Sequence, residues 1–534
     1  MMLQKNLLFA QEEQLNNYSL DGTSIKGSYS TMQFALRLRK DIRDAQFSDF
    51  LPEQLQAKST VLHENIHWWQ HMGSNFGFLF SLSYPAFIHY SLNEIREVVK
   101  DNILFKSLLK FDKEYFEKNG IADLANLNVV INNYYDIEYA KLFALSNQNI
   151  LKLNEDRRFF LNIGHCYHIF WVATVHTLSD SIDKDYNFLP PTNSWSKEFQ
   201  RLGEEKVVGF YVDSPLQLTQ VGIKAIYEGQ AIFNQAQYLT GTLNRDLTYS
   251  DFVNRGMFYG IYTEAFDLYI KITGYSRPEN LLDPIVGLFL LICDMAINPN
   301  NGFPLDIYDF ENFITKNDPG IRFTLICKEV SKKAEYYRDR ISQYSKEEYV
   351  LLSKELATSI GCACSYESIS EVLKWREQDI VKEILKEEDQ ADYTLINLPI
   401  RLLFSKYLRF QEDKLEHPNI LCWAGYHLSN LGGEFDTANT LYLKHHAIFM
   451  DDDSGEIKAT IINGKPKDKL LKSFNNFYAH NILYDLVLKW VTEEGEFKFD
   501  YKWLAGERAK TFTPTIKENF KKQFGIDIES IKPI

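Results

Sequence analysis

His63, Glu64 and His67 stand in the segment STVLHENIHWWQHMG as H-E-x-x-H. On an α-helix, residues four apart lie one above the other, so both imidazoles can address a single ion. Glu64 sits one position round from His63, where its carboxylate reaches a water on that ion without ligating it. Zinc suits such a site because it lowers the pKa of a bound water to about 7 and polarises a carbonyl under attack. Glu64 then takes the water's proton and passes it to the leaving nitrogen. With 12 histidines and 72 acids among 534 residues, chance supplies roughly 0.04 such patterns per chain even if every acid is counted as Glu.

A helix from about Pro52 to Met72 must carry this pattern, with Gly73 as its C-cap. Leu62, Ile66, Trp69 and Gly73 recur at i, i+4, i+7, i+11 and form its packed stripe, while Thr60, His63 and His67 face a cleft. His71 shares a face with the two histidines, but eight residues of helix span about 12 Å, too far for one ion's ligands. It is expected outside the ligand set, around the site or at the surface.

A third ligand has to come from elsewhere. In LQLTQVGIKAIYEGQAIFNQAQYL, Val221, Ala225, Glu228 and Ile232 share an apolar stripe. A carboxylate there is costly to bury unless paired, and a metal ion is a strong partner. Glu264, in YTEAFDLY, is the alternative, with Asp267 as a partner for a ligating histidine. A glutamate merely paired with Lys or Arg is the competing explanation for Glu228.

These two segments resemble the zincin metallopeptidases of the Glu-ligand (gluzincin) type, in which H-E-x-x-H on one helix is completed by the Glu of an E-G-x-A on a later one. Glu228-Gly229-Gln230-Ala231 matches that short pattern. The resemblance implies one Zn2+ held by His63, His67 and Glu228, Glu64 as general base, and a peptide or protein substrate. It also implies a donor to the oxyanion, for which His165, His168, His176, Tyr227 and Tyr262 are candidates. The match covers only these segments, and Glu228 follows about 160 residues after His67. A helical insertion over about 75–215 accounts for that gap.

Helical periodicity dominates to about residue 410, around 92–110, 156–180, 216–240, 251–273, 323–343 and 346–388. Thr31–Leu38 reads as a strand, and from its position could be the edge that pairs with an extended substrate. Ala447–Met450 and Glu456–Ile462 read as strands around a polar aspartate turn that lacks calcium-loop spacing. The expected fold is mainly α. A zincin-like catalytic domain fills 1–300, with NPNNGFP (298–304) as its boundary; a helical region (301–410) and a small α+β domain (411–534) follow.

Composition narrows the class further. A net charge of −14 gives no general attraction to nucleic acid or anionic membranes. The most apolar run, Ile285–Ile297, contains Asp294 and falls short of the roughly 20 residues of a span. Six cysteines are too sparse for a disulfide framework, and Cys362-x-Cys364 lacks a second pair at zinc spacing. The N-terminus has no signal-peptide pattern, so a cytoplasmic location is expected.

Three rivals remain. A di-iron bundle would need a second E-x-x-H, and Glu precedes a histidine by three only at Glu64–His67. A metal-binding interaction or sensing protein without turnover would keep the same ligands. A zinc hydrolase of a non-peptide amide or ester would keep the same mechanism.

Overall fold

In the computed structural model the described residues are 27–534, apart from 121–123, 155, 157, 158, 160, 161 and 463. The expectation about the N-terminus, Met1 to Gln14, lies outside them. The chain is mainly helical, with a four-stranded sheet at one side. Long periodic stretches break into shorter helices. The pattern over 346–388, for example, divides into Lys346–Ser359, Ser365–Lys374 and Asp379–Gln390.

Strand β1 (Gly27–Ser30) turns back antiparallel onto β2 (Ala35–Leu38). The single strand expected over Thr31–Leu38 is therefore half turn. Phe34 takes a left-handed φ of 54° and its N–H closes the turn onto the Ser30 carbonyl at 2.6 Å. Its buried ring against Phe477 holds that conformation, so β1, not the expected segment, is the outer strand.

Helix α1 (Leu51–Gly73) carries H-E-x-x-H, with Pro52 and Glu53 in its first turn where a missing N–H and a negative charge are favoured. Gly73 lies inside the helix, not beyond it, which corrects its expected capping role. A Cβ there would stand 2.3 Å from the Phe410 ring, so the residue is small because another helix crosses on top of it. Ser74 ends α1 in extended backbone and its hydroxyl accepts from the Gly77 N–H, starting α2 (Asn75–Tyr90). The segment after α2 is built largely from α3 (Ala125–Leu145) and α4 (Ile163–Ile182), which pack on each other and on α2.

Helix α5 (Ile223–Thr242) lies along α1 and is backed by α6 (Ile261–Thr273) and by α7 (Pro284–Ala296), the buried apolar run read from the sequence. Helix α8 (Leu398–Glu416) supplies Phe410 and a Gln411 side chain that donates to the Gly73 carbonyl. The C-terminal hairpin, β3 (Phe449–Asp451) and β4 (Ile457–Ala459), forms where expected. Its aspartates are held by Arg43, Lys458, Ser454 and the Leu38 N–H.

Strand β3 pairs in parallel with β2, giving the order β1-β2-β3-β4. Residues from the beginning and end of the chain thus share one sheet, and one apolar core runs from Phe34 to Ile531. Helix α9 (Lys467–Thr492) braces the β1–β2 turn through Tyr478 and Asn481, which donate to the Gln33 and Met32 carbonyls. Among the described residues no helix is long and apolar enough to cross a membrane.

Gly73→Ala should overpack the α1–α8 crossing and cost about 1–3 kcal/mol. Urea denaturation followed by far-UV circular dichroism reads this as a lower midpoint with an unchanged slope.

Candidate metal centre

Two helices with no sequence proximity supply the centre. His63 and His67 project from one face of α1, and Glu228 projects from α5 towards them. The Nε2 atoms of the histidines are 3.2 Å apart, and Glu228 Oε2 lies 3.4 Å from each. Three ligands about 2.0–2.1 Å from a tetrahedral ion stand about 3.3–3.4 Å from one another. The triangle therefore has the edge lengths that a tetrahedral N,N,O site requires, and these residues are the metal-ligand cluster found among the described residues.

Local sequence explains the approach of the helices. Gly229 leaves room for the Phe289 ring, which would lie 3.1 Å from a Cβ, and Ala231 is fully buried. Gly229 thus lets α5 settle against α6 and α7, while Glu228 points at α1. Polar ties fix the register: Gln235 donates to the Ser59 hydroxyl, and Gln70 reaches α5 with both hydrogens of its amide.

Gln70 is the functional side chain that sequence reasoning passed over, although its spacing of three from His67 was a usable signal. Its amide nitrogen is 2.9 Å from both the Tyr227 carbonyl and Gln230 Oε1. A peptide carbonyl can only accept, so Gln70 Oε1 faces His67 and accepts from Nδ1 at 2.7 Å. The hydrogen on Nδ1 leaves Nε2 as the nitrogen available to a metal. The carbonyl that orients this relay belongs to the residue just before Glu228. His63 has no such partner among the described residues, where its Nδ1 is buried without a hydrogen bond.

The electrostatics follow from burial and proximity. Burial alone would lower the His67 pKa, but Glu228 outweighs it and, with Glu64 and Gln70, raises it to about 9. Burial would raise the Glu228 carboxyl, and the two imidazoles overcome this, holding it well below the usual carboxylate range. Glu64, 6% exposed, is raised by burial and by Glu228 against the opposing pull of His63 and His67. Such a carboxyl is a better proton acceptor than an exposed one.

The remaining sequence candidates separate clearly. His71 is buried against Tyr29, Phe80 and Tyr227 and is held neutral by burial, its pKa pushed down to about 3. Glu264 is exposed and outside the cluster, and Asp267 pairs with Arg277, so the alternative ligand set is not assembled. His165 pairs with Asp136, His168 stacks on Phe199 and His176 bonds Tyr186. Tyr227 directs its hydroxyl at the Gln70 carbonyl. Of these candidates Tyr262 lies at the cluster, its ring packing edge-on to His63 with centroids 6.0 Å apart.

A metal taking Nε2 must displace the proton that His67 holds below about pH 9. Affinity for Zn2+, measured by chelator competition, should therefore fall as pH drops, by up to about tenfold per unit. A flat profile between about pH 6 and 8 would contradict it. In the metal-free protein the raised His67 pKa contributes stability fully present below its unfolded value near 6.5. That contribution is lost as pH rises through about 9. Gln70→Ala should weaken Zn2+ binding about 10–100-fold while leaving one ion per chain.

Comparison with protein-family models, with curated proteins and with solved structures finds no match.

Proposed function

We propose that this protein is a zinc-dependent hydrolase that cleaves peptide bonds, with the catalytic logic of the gluzincins. The observation that carries the reading is the convergence of His63, His67 and Glu228 into a triangle of tetrahedral dimensions, with the buried carboxyl of Glu64 on the same helix. Zinc held by that triangle would polarise the substrate carbonyl and make a water acidic enough to deprotonate near neutral pH.

The chain's own groups do the rest. Glu64 accepts a proton from the attacking water, aided by the burial that raises its pKa, and returns it to the leaving nitrogen. Gln70 fixes the tautomer of His67. Tyr262, whose ring packs beside His63, is our choice of donor to the oxyanion as it forms. Among the described residues strand β1 is the last strand of the sheet on this side, the edge to which we assign an extended peptide substrate. Six free cysteines support a reducing compartment, and we assign the protein to the cytoplasm.

Glu64→Gln should keep stoichiometric zinc and lose about 10³-fold or more in peptide hydrolysis, since the amide cannot take the proton. Zinc binding without turnover in the wild type, across a peptide library, would favour a metal-binding interaction or sensing protein. Turnover of amide or ester substrates alone would move the substrate class. Tyr262→Phe should lower kcat about 10²-fold with KM little changed; an unchanged kcat removes it from the mechanism.

A further inference from the structure

Residues on one side of a strand alternate with period two, so Gly27 and Tyr29 face the same way. What they face is the flank of α1 formed by Glu64, Trp68 and His71, at i, i+4 and i+7. Tyr29 packs edge-on to Trp68 with centroids 5.8 Å apart and lies 5.2 Å from the His71 ring. Gly27 is buried and lies over Glu64. A Cβ at Gly27 would stand 2.5 Å from Glu64 Cγ and 2.8 Å from both Cδ and Oε1.

Glycine inside a strand weakens it, and it persists where the backbone needs a special conformation or where another group comes close. The first reason does not apply. Gly27 lies in a strand and pairs with Leu38 in regular antiparallel register. Close approach is what remains, and the group that approaches is the carboxylate of the general base. The nearest atom is Cγ rather than the mobile carboxylate end. A methyl at residue 27 therefore cannot be relieved by a small swing of the tip; Glu64 must change χ1 or the strand must lift.

We infer that Gly27 is a positioning residue for Glu64: the missing side chain is the space in which the base lies beneath the outer strand. Tyr29 pins the strand at that height by filling the gap beside Trp68 and His71. The inference rests on the proposed role of Glu64 for its catalytic meaning, while the packing on which it stands does not depend on that role. Misplacing a reacting group by about 1 Å can cost a hundredfold in rate.

The test is a double-mutant comparison on the full-length, zinc-loaded protein. Gly27→Ala should lower kcat about 10²-fold with KM within about threefold. Zinc stoichiometry and the absorption spectrum of the Co2+-substituted protein should stay unchanged, which a general loss of structure would not allow. In a Glu64→Ala background, which has no Cγ and so vacates the space, the same methyl should change the residual kcat by at most about threefold. Independently of activity, Gly27→Ala should lower the urea midpoint of the wild type but not that of Glu64→Ala.

An active wild type in which Gly27→Ala keeps its kcat, or loses equally in both backgrounds, overturns the inference and leaves the hydrolase reading intact. A wild type that binds zinc yet hydrolyses nothing overturns the role of Glu64 as a base, and the positioning role of Gly27 with it.

Discussion

Everything at the centre depends on one half-buried carboxylate held between two imidazoles. Glu228 gives up most of its water, and an isolated charge in such a place is disfavoured. Its partners come from a helix that precedes it by well over a hundred residues, so the charge can be buried only if α1 and α5 lie side by side in one register. The apolar contacts along these helices set their distance, and Gln70, Gln230, Gln235 and Ser59 set their rotation. Helix packing and site geometry are thus one problem: a slip of either helix by a single residue would turn the carboxylate away and leave three polar groups buried without partners.

The same arrangement accounts for the depth of the site. Helix α1 is covered on nearly every face: by α5, by α2, by α8 across Gly73, and by β1 above Glu64. The segment entering β3 adds two further ties, with Asn65 accepting from the Ala447 N–H and Trp69 donating to the His445 carbonyl. A helix so enclosed cannot be read as an amphipathic surface element. Several of its polar residues, Ser59, Asn65, Trp69 and Gln70 among them, are answered by a specific partner on another element, which is how a polar face survives in an interior.

How much of this was legible in the sequence follows from the range of each interaction. His63, Glu64 and His67 were legible because one helical turn brings them together, and Glu228 because an acidic residue in an apolar stripe asks for a partner. Gln70 was equally local and could have been found from its spacing to His67. Gly73 was misread because a glycine near a helix end has an ordinary explanation, and nothing nearby announces Phe410. Gly27 was beyond reach, as its role is defined by a strand crossing a helix whose critical residue is 37 positions away. The hairpin at 449–459 was legible as a hairpin, but not as a neighbour of β2, since a strand's sequence does not name the strand it pairs with.

That pairing has a consequence for how the molecule comes into being. Strand β2 finds its neighbour only after more than 400 further residues have been made, which at about 5–20 residues per second takes tens of seconds of synthesis. Until then the hairpin over Glu64 has no sheet to join, and an isolated two-stranded hairpin is barely stable in water. Synthesis therefore delivers α1 and the hairpin above it early, and the strand that completes their sheet late. The cover over Glu64 settles into its sheet only once the segment around residue 450 has been made.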